Sequence, residues 1–228
     1  QNPPFSPSLD AAGPAGCGLA LRELRDDFET AAGLSQTSPP VVDPPTDELL
    51  VLERLGNAAG LFIALRCKQP AAASHGLRVA LLCSAWARKM DLSADDRGQI
   101  EVAALLHDLG IIGVPDRILQ KPAKLAPHEI GIMAHARRLG QEILRASGAA
   151  PTLLAIVENV PVWYNGPPNG DVPAGPRIPL GARMIAIAEA FDSMTTDHVF
   201  RPARSRENAI DELFRCAGTQ FDPRLVDR

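Results

Sequence analysis

Apolar positions recur at intervals of three and four along most of this chain, which is the period of a helix with one buried face. Leu49, Leu52, Leu55, Ala59, Phe62 and Leu65 mark such a face and predict a helix over about 47–68, with Thr46 as its N-cap. The Gln69-Pro70 step breaks it. Val79, Cys83, Trp86 and Met90 then share one face of a helix predicted over about 74–90. Asp91-Leu92-Ser93 turns the chain, and Ser93 caps a helix over about 94–109 that Gly110 stops. Further helices are predicted over about 127–147, 151–159, 180–195 and 205–217. Gly113-Val114-Pro115-Asp116 reads as a loop, as do residues 165–177, rich in Gly, Pro and Asn. No stretch reads convincingly as a strand, so the predicted fold class is all-α.

The first 45 residues depart from this pattern. They hold eight prolines, at a density that breaks regular structure, and read as an arm or linker with room for one helix between Leu19 and Ala32. The remaining residues, 46–228, are enough for one good-sized domain. Hydrophobic residues make up 46% of the chain, ample for a core, and the low aromatic content favours packed helices. A net charge of −4 gives no sign of a general DNA or RNA binder. No apolar run reaches the roughly 18–20 residues of a membrane span. Cys17, Cys67, Cys83 and Cys216 are scattered without a C-x-x-C pair, which reads as reduced thiols in a cytoplasmic protein. The chain begins at Gln1, which reads as a fragment or processed product.

The chemistry concentrates in Ala103-Ala104-Leu105-Leu106-His107-Asp108-Leu109-Gly110. A histidine beside an aspartate at the end of an apolar helix is costly to bury unless something satisfies both, and a divalent cation (Fe, Mn, Zn or Ni) suits that donor pair. His75 at the start of the 74–90 helix and Glu189 in the apolar run Met184–Phe191 could join it. Each of those two residues, taken alone, reads equally as a cap or a solvated side chain.

Longer motifs narrow the choice. Ser74-His75-Gly76-Leu77-Arg78-Val79, Ala104–Gly110, Ile112–Asp116 with Lys121-Pro122, Ile178–Arg183, Phe191-Asp192-Ser193-Met194-Thr195, Arg201-Pro202-Ala203 and Ala217–Pro223 occur in an order and spacing that resemble the HD-GYP family. That family belongs to the HD phosphohydrolases and hydrolyses cyclic di-GMP in bacterial signalling. The resemblance covers about residues 46–228 and implies an HD-type helical bundle with residues 46–70 as its N-terminal connecting helix. It implies a first metal held by His75, His107, Asp108 and Glu189, the last an Asp→Glu exchange, with Asp108 the catalytic candidate if the site is active. It also implies a second metal whose ligands are absent. Ala136 stands where a histidine is expected, with His135 about 100° round the helix, and Val160-Pro161 replace a His-His pair. Ile111 replaces a lysine, and Asn165–Gly170 shorten the Gly-Tyr-Pro loop.

Three readings follow from the resemblance: a non-hydrolytic signalling module related to cyclic di-GMP phosphodiesterases, a one-metal phosphohydrolase, and a metal-free protein-interaction scaffold. Arg201, Arg183 and Tyr164 are the candidate ligand-binding residues for a cyclic dinucleotide. The expected partners are an upstream sensor or receiver domain, or a separate protein, joined through the proline-rich arm.

Overall fold

The computed structural model describes residues 58–121, 123–166, 172–197 and 202–228. The proline-rich arm, the first half of the connecting helix and Arg201 lie outside the described residues. Every regular element among the described residues is helical. Helix α1 covers residues 58–68. It is followed by α2 (Pro70–Lys89), α3 (Ala94–Leu106), a 3-10 turn (Leu109–Gly113) and α4 (Asp116–Leu119). Then come α5 (Pro127–Ala146), α6 (Pro151–Asn159), a second 3-10 turn (Gly175–Arg177), α7 (Leu180–Thr195), α8 (Arg206–Arg215) and α9 (Pro223–Val226). The all-α expectation holds.

The layering follows from which faces are apolar. Helix α2 packs against α3 and α7, α3 also packs against α6, and α8 and α9 close over α7. Phe62 and Leu65 of α1, Val79 and Cys83 of α2, Leu106 of α3, and Met184 and Ile185 of α7 are all essentially inaccessible. Burial pushes the Cys83 thiol up to about 12, with the Glu101 charge adding to it, so this thiol behaves as a small apolar side chain. Cys67 and Cys216 are also free thiols. None of the described helices is long and apolar enough to cross a membrane.

Local chemistry explains most boundaries. Ser93 accepts from the Asp96 N–H at 3.1 Å and starts α3 as predicted. Helix α2 starts at Pro70, four residues earlier than predicted, because proline at the first helical position forfeits only an N–H that has no intrahelical partner. Asp116 begins a short helix where a loop was predicted, and its carboxylate takes a 2.5 Å ion pair from Lys68. Helix α9 was not predicted; its start is capped by Asp222, which accepts from the Arg224 N–H.

The largest correction is at the His-Asp pair. Helix α3 stops at Leu106, three residues short of the predicted end, with His107 as its C-cap and Asp108 leading into the 3-10 turn. The reason is a close approach of two backbones. A Cβ on Gly110 would lie 1.8 Å from the Ala136 carbonyl oxygen of α5, and one on Gly140 would lie 2.8 Å from the Gly110 nitrogen. Two glycines in register let the 3-10 turn press onto α5. That tight turn swings His107 and Asp108 out of the helix and toward α7.

Candidate metal centre

His75 sits in the second turn of α2. Its Nδ1 donates to Asp192 Oδ2 of α7 at 2.6 Å. Arg78, three residues further along α2, grips the same carboxylate with Nε to Oδ1 at 2.6 Å and Nη2 to Oδ2 at 2.8 Å. Asp192 is buried, with 5% of its surface exposed. A forked guanidinium–carboxylate pair of this kind is both strong and directional. Burial alone would raise the Asp192 carboxyl, but the hydrogen bonds from His75 and Arg78 outweigh it and hold the group below the usual carboxylate range. Burial likewise pulls His75 down. The hydrogen bond and charge of Asp192, with the charges of Asp108 and Glu189, outweigh it and leave the imidazole raised. With Nδ1 committed to Asp192, Nε2 is the ring nitrogen left free.

His107 is built the same way. Its Nδ1 donates to the Ala104 carbonyl at 2.7 Å, which leaves Nε2 as the lone-pair nitrogen. That Nε2 is buried without a hydrogen-bond partner, and the side chain is only 4% exposed. It lies 3.6 Å from Asp108 Oδ2. The rings of His75 and His107 meet edge-on, with centroids 5.5 Å apart. His75, His107 and Asp108 each bring a ligand atom within 4.8 Å of the other two.

These residues fit a divalent cation. A buried, unpartnered polar atom costs about 1–3 kcal/mol, and a cation removes that cost. Each imidazole donates its far N–H to a carboxylate or a carbonyl, the arrangement that orients metal-binding histidines and makes them more basic. Replacing Asp192 by asparagine should keep an acceptor for His75 but lose the charge. The expected result is roughly 10–100-fold weaker cation binding with the fold retained, measured by competition with a chelating dye; unchanged affinity would reduce Asp192 to a packing role. In the sequence Asp192 stands within the Phe191–Thr195 motif, which assigns it no role toward the metal. The signal that could have marked it was its spacing of three from Glu189, one helical turn on the same helix.

His107 and Asp108 open on a cavity of about 470 Å³ between α5, α6 and α7. Glu189 lines this cavity with His107 and Asp108 but lies outside the tight cluster. The positions implied for a second metal carry no donor. Val160 and Pro161 line the cavity beside Val157 and Val162, so this wall is apolar. Ala136 is buried against Val114 and Ile118, away from the cavity lining. His135 faces solvent and Ile111 is half-buried. Helix α5 instead presents Arg137 and Gln141 to the cavity.

Two of the candidate ligand-binding residues lie outside the cavity lining. Arg183 is spoken for: its Nη1 donates to Asp222 Oδ2 at 2.5 Å and its Nε to the Ile178 carbonyl at 2.9 Å, which ties α7 to the start of α9. Tyr164 is fixed through its backbone to Gln220 and Gly175 and does not line the cavity. The neighbouring Trp163 does, with 55% of its surface exposed. The third, Arg201, lies outside the described residues.

A helical bundle with a His/His-Asp cluster at the junction of three helices defines the HD type of domain. The family model described as "HD domain" matches residues 62–225, and the chain belongs to that family. The resemblance to the HD-GYP branch holds among its relatives. Over 145 residues, 62% of this chain and 38% of the relative, it is 36% identical to the cyclic di-GMP phosphodiesterase response regulator RpfG of Xanthomonas campestris pv. campestris. Over 170 residues, 72% of this chain and 32% of the relative, it is 31% identical to 3'3'-cGAMP-specific phosphodiesterase 2 of Vibrio cholerae. The chain thus spans well under half the length of these curated relatives. The fold is shared with Bd1817, an HDG"Y"P protein from Bdellovibrio bacteriovorus, at a TM-score of 0.55 and 15% identity, over 94% of this chain and 79% of that one.

Proposed function

We propose that this chain is a non-hydrolytic signalling domain related to cyclic di-GMP and cyclic GMP-AMP phosphodiesterases, built around a single divalent cation held by His75, His107 and Asp108, with Glu189 facing it. The observation that carries this reading is the apolar stretch that lines the cavity along with His107 and Asp108. Two-metal phosphodiesterases clamp the attacking and the leaving oxygen between paired cations. Here Val157, Val160, Pro161 and Val162 line the cavity together with His107 and Asp108, and their side chains bring no donor. Ile111 adds no charge where a lysine would stabilise a phosphate in transition.

A bound cation would supply positive charge to phosphate oxygens. The chain's own residues do the rest: Asp192, gripped by Arg78, holds the His75 ring, and the Ala104 carbonyl holds the His107 ring. In this reading, residues 46–228 form the signalling domain in the cytoplasm. The proline-rich residues 1–45 tether it to an upstream sensor or receiver domain, or to a partner protein.

A one-metal phosphohydrolase is the second reading, favoured by the free Nε2 of His107 beside Asp108. A metal-free scaffold is disfavoured by that same buried, unpartnered nitrogen. Purified protein supplied with Mn or Fe is expected to leave cyclic di-GMP, 3'3'-cGAMP and their linear products intact. Turnover that disappears in His107→Ala would replace this reading with the second one.

A further inference from the structure

Helix α5 turns one charged side chain toward the cavity. Arg137 lines it one turn before Gln141, while Ala136, one step round the helix, is buried against Val114 and Ile118. Arg137 forms no ion pair among the described residues, although Asp108 and Glu189 line the same cavity. Its guanidinium donors are therefore open to an incoming group.

The charge of the cavity decides what that group is. Among the described residues, Asp108, Glu189 and Arg137 are the only ones lining it with a standing charge at neutral pH, and His107 is the other titratable one. On their own they leave one net negative charge, which repels phosphate. One divalent cation at the triad reverses the sign and leaves one net positive charge, matched to the single negative charge of a phosphodiester. Without Arg137 the described lining residues and the cation would sum to zero. His107 lines the cavity, and its buried, unpartnered Nε2 is the independent mark that a cation belongs there.

We infer that Arg137 takes over the electrostatic role of the absent second cation, so that the cavity holds a phosphodiester between one triad-bound cation and the Arg137 guanidinium without cleaving it. Two non-bridging oxygens of one phosphate can be shared in this way between a cation and a guanidinium fork. A guanidinium binds and orients such a group but does not generate a nucleophile from water, so holding and cleaving become separable. Gln141, Ser193 and Gln220 line the same space and add neutral hydrogen-bonding groups, and the exposed indole of Trp163 offers a face for a base. This inference rests on the single-cation reading above.

The test is calorimetric titration of the full chain, loaded with Mn, against cyclic di-GMP and separately against inorganic phosphate, with metal content measured on every sample. Wild type is expected to bind cyclic di-GMP only when metal-loaded. Arg137→Gln should weaken that binding by about tenfold or more, as expected for loss of a charge-assisted contact, with metal content unchanged. Arg137→Lys should restore part of it. Arg138→Gln, an exposed neighbour that does not line the cavity, should bind as wild type. Binding of phosphate alone at equal strength would assign the site to the free anion rather than to a dinucleotide and would overturn the phosphodiester assignment. Arg137→Gln binding like wild type at normal metal content, or a metal-loaded wild type that binds neither probe, would overturn the role of Arg137 alone. A wild-type chain that takes up no metal would overturn the single-cation reading beneath it.

Discussion

Asp108→Ala is expected to strip the chain of bound transition metal. Asp108 is the carboxylate of the cluster and the group that offsets the cation's charge at closest range, since His75 and His107 are neutral when they ligate. Loss of a direct ligand should exceed the roughly 10–100-fold that loss of a supporting partner costs. The variant should nevertheless fold. The Asp108 side chain is 38% exposed and makes no capping hydrogen bond, and the 3-10 turn is closed by backbone groups, with the Ile111 N–H donating to the Asp108 carbonyl at 2.9 Å. Metal content by elemental mass spectrometry, beside a thermal melt, separates the two effects. An Asp108→Ala protein that melts like wild type and retains its metal would remove the triad as the binding site.

Gly110→Ala is expected to be the most destabilising of these substitutions. The new Cβ would meet the Ala136 carbonyl oxygen at 1.8 Å, the Ala136 carbonyl carbon at 2.6 Å and the Gly140 nitrogen at 2.9 Å, all of them backbone atoms that cannot rotate aside. Relief requires the 3-10 turn to lift off α5, which opens the contact carrying Leu109 and Val114, both with 1% or less of their surface exposed. A cost of about 3–5 kcal/mol is expected, in the range of severe core substitutions, and a fall in Tm of roughly 6–20 °C for a domain of this size. Because the same turn places Asp108, metal affinity should fall as well. Gly131→Ala, whose Cβ would meet nothing within 4 Å on the same helix, is the control and should leave Tm within a degree or two or raise it slightly. A Gly110→Ala protein with wild-type Tm would mean that the turn does not press on α5 as described.

Much of this architecture was legible in the sequence because it is written in local terms. Helices over 151–159 and 180–195 follow from uninterrupted periodicity and match the observed bounds. Ser93 announces a cap through its own side chain. His107 and Asp108 stand out because polar residues in an apolar run need a reason. What was hidden depends on partners distant in sequence. Asp192 is 117 residues from His75, and its spacing of three from Glu189 marks a shared helix face but not the ring that it orients. Arg183 stands in a family motif, but that its ion-pair partner is Asp222, 39 residues on, shows only in the fold. The early end of α3 comes from α5, whose Ala136 carbonyl leaves no room for a side chain at position 110. Arg137 lies one step from the position that attracted attention, and only the helix's rotation tells which of the two reaches the cavity.

The single-cation site is tested most directly by counting. Wild-type protein, purified without chelators or a histidine tag and incubated with excess Mn or Fe, is passed through a desalting column and its metal measured per chain by elemental mass spectrometry. One equivalent is expected, falling to background in Asp108→Ala. Two equivalents would contradict the single-cation site and restore the paired-metal chemistry that Val160 and Pro161 argue against, and none would leave the buried nitrogen of His107 without the partner inferred for it.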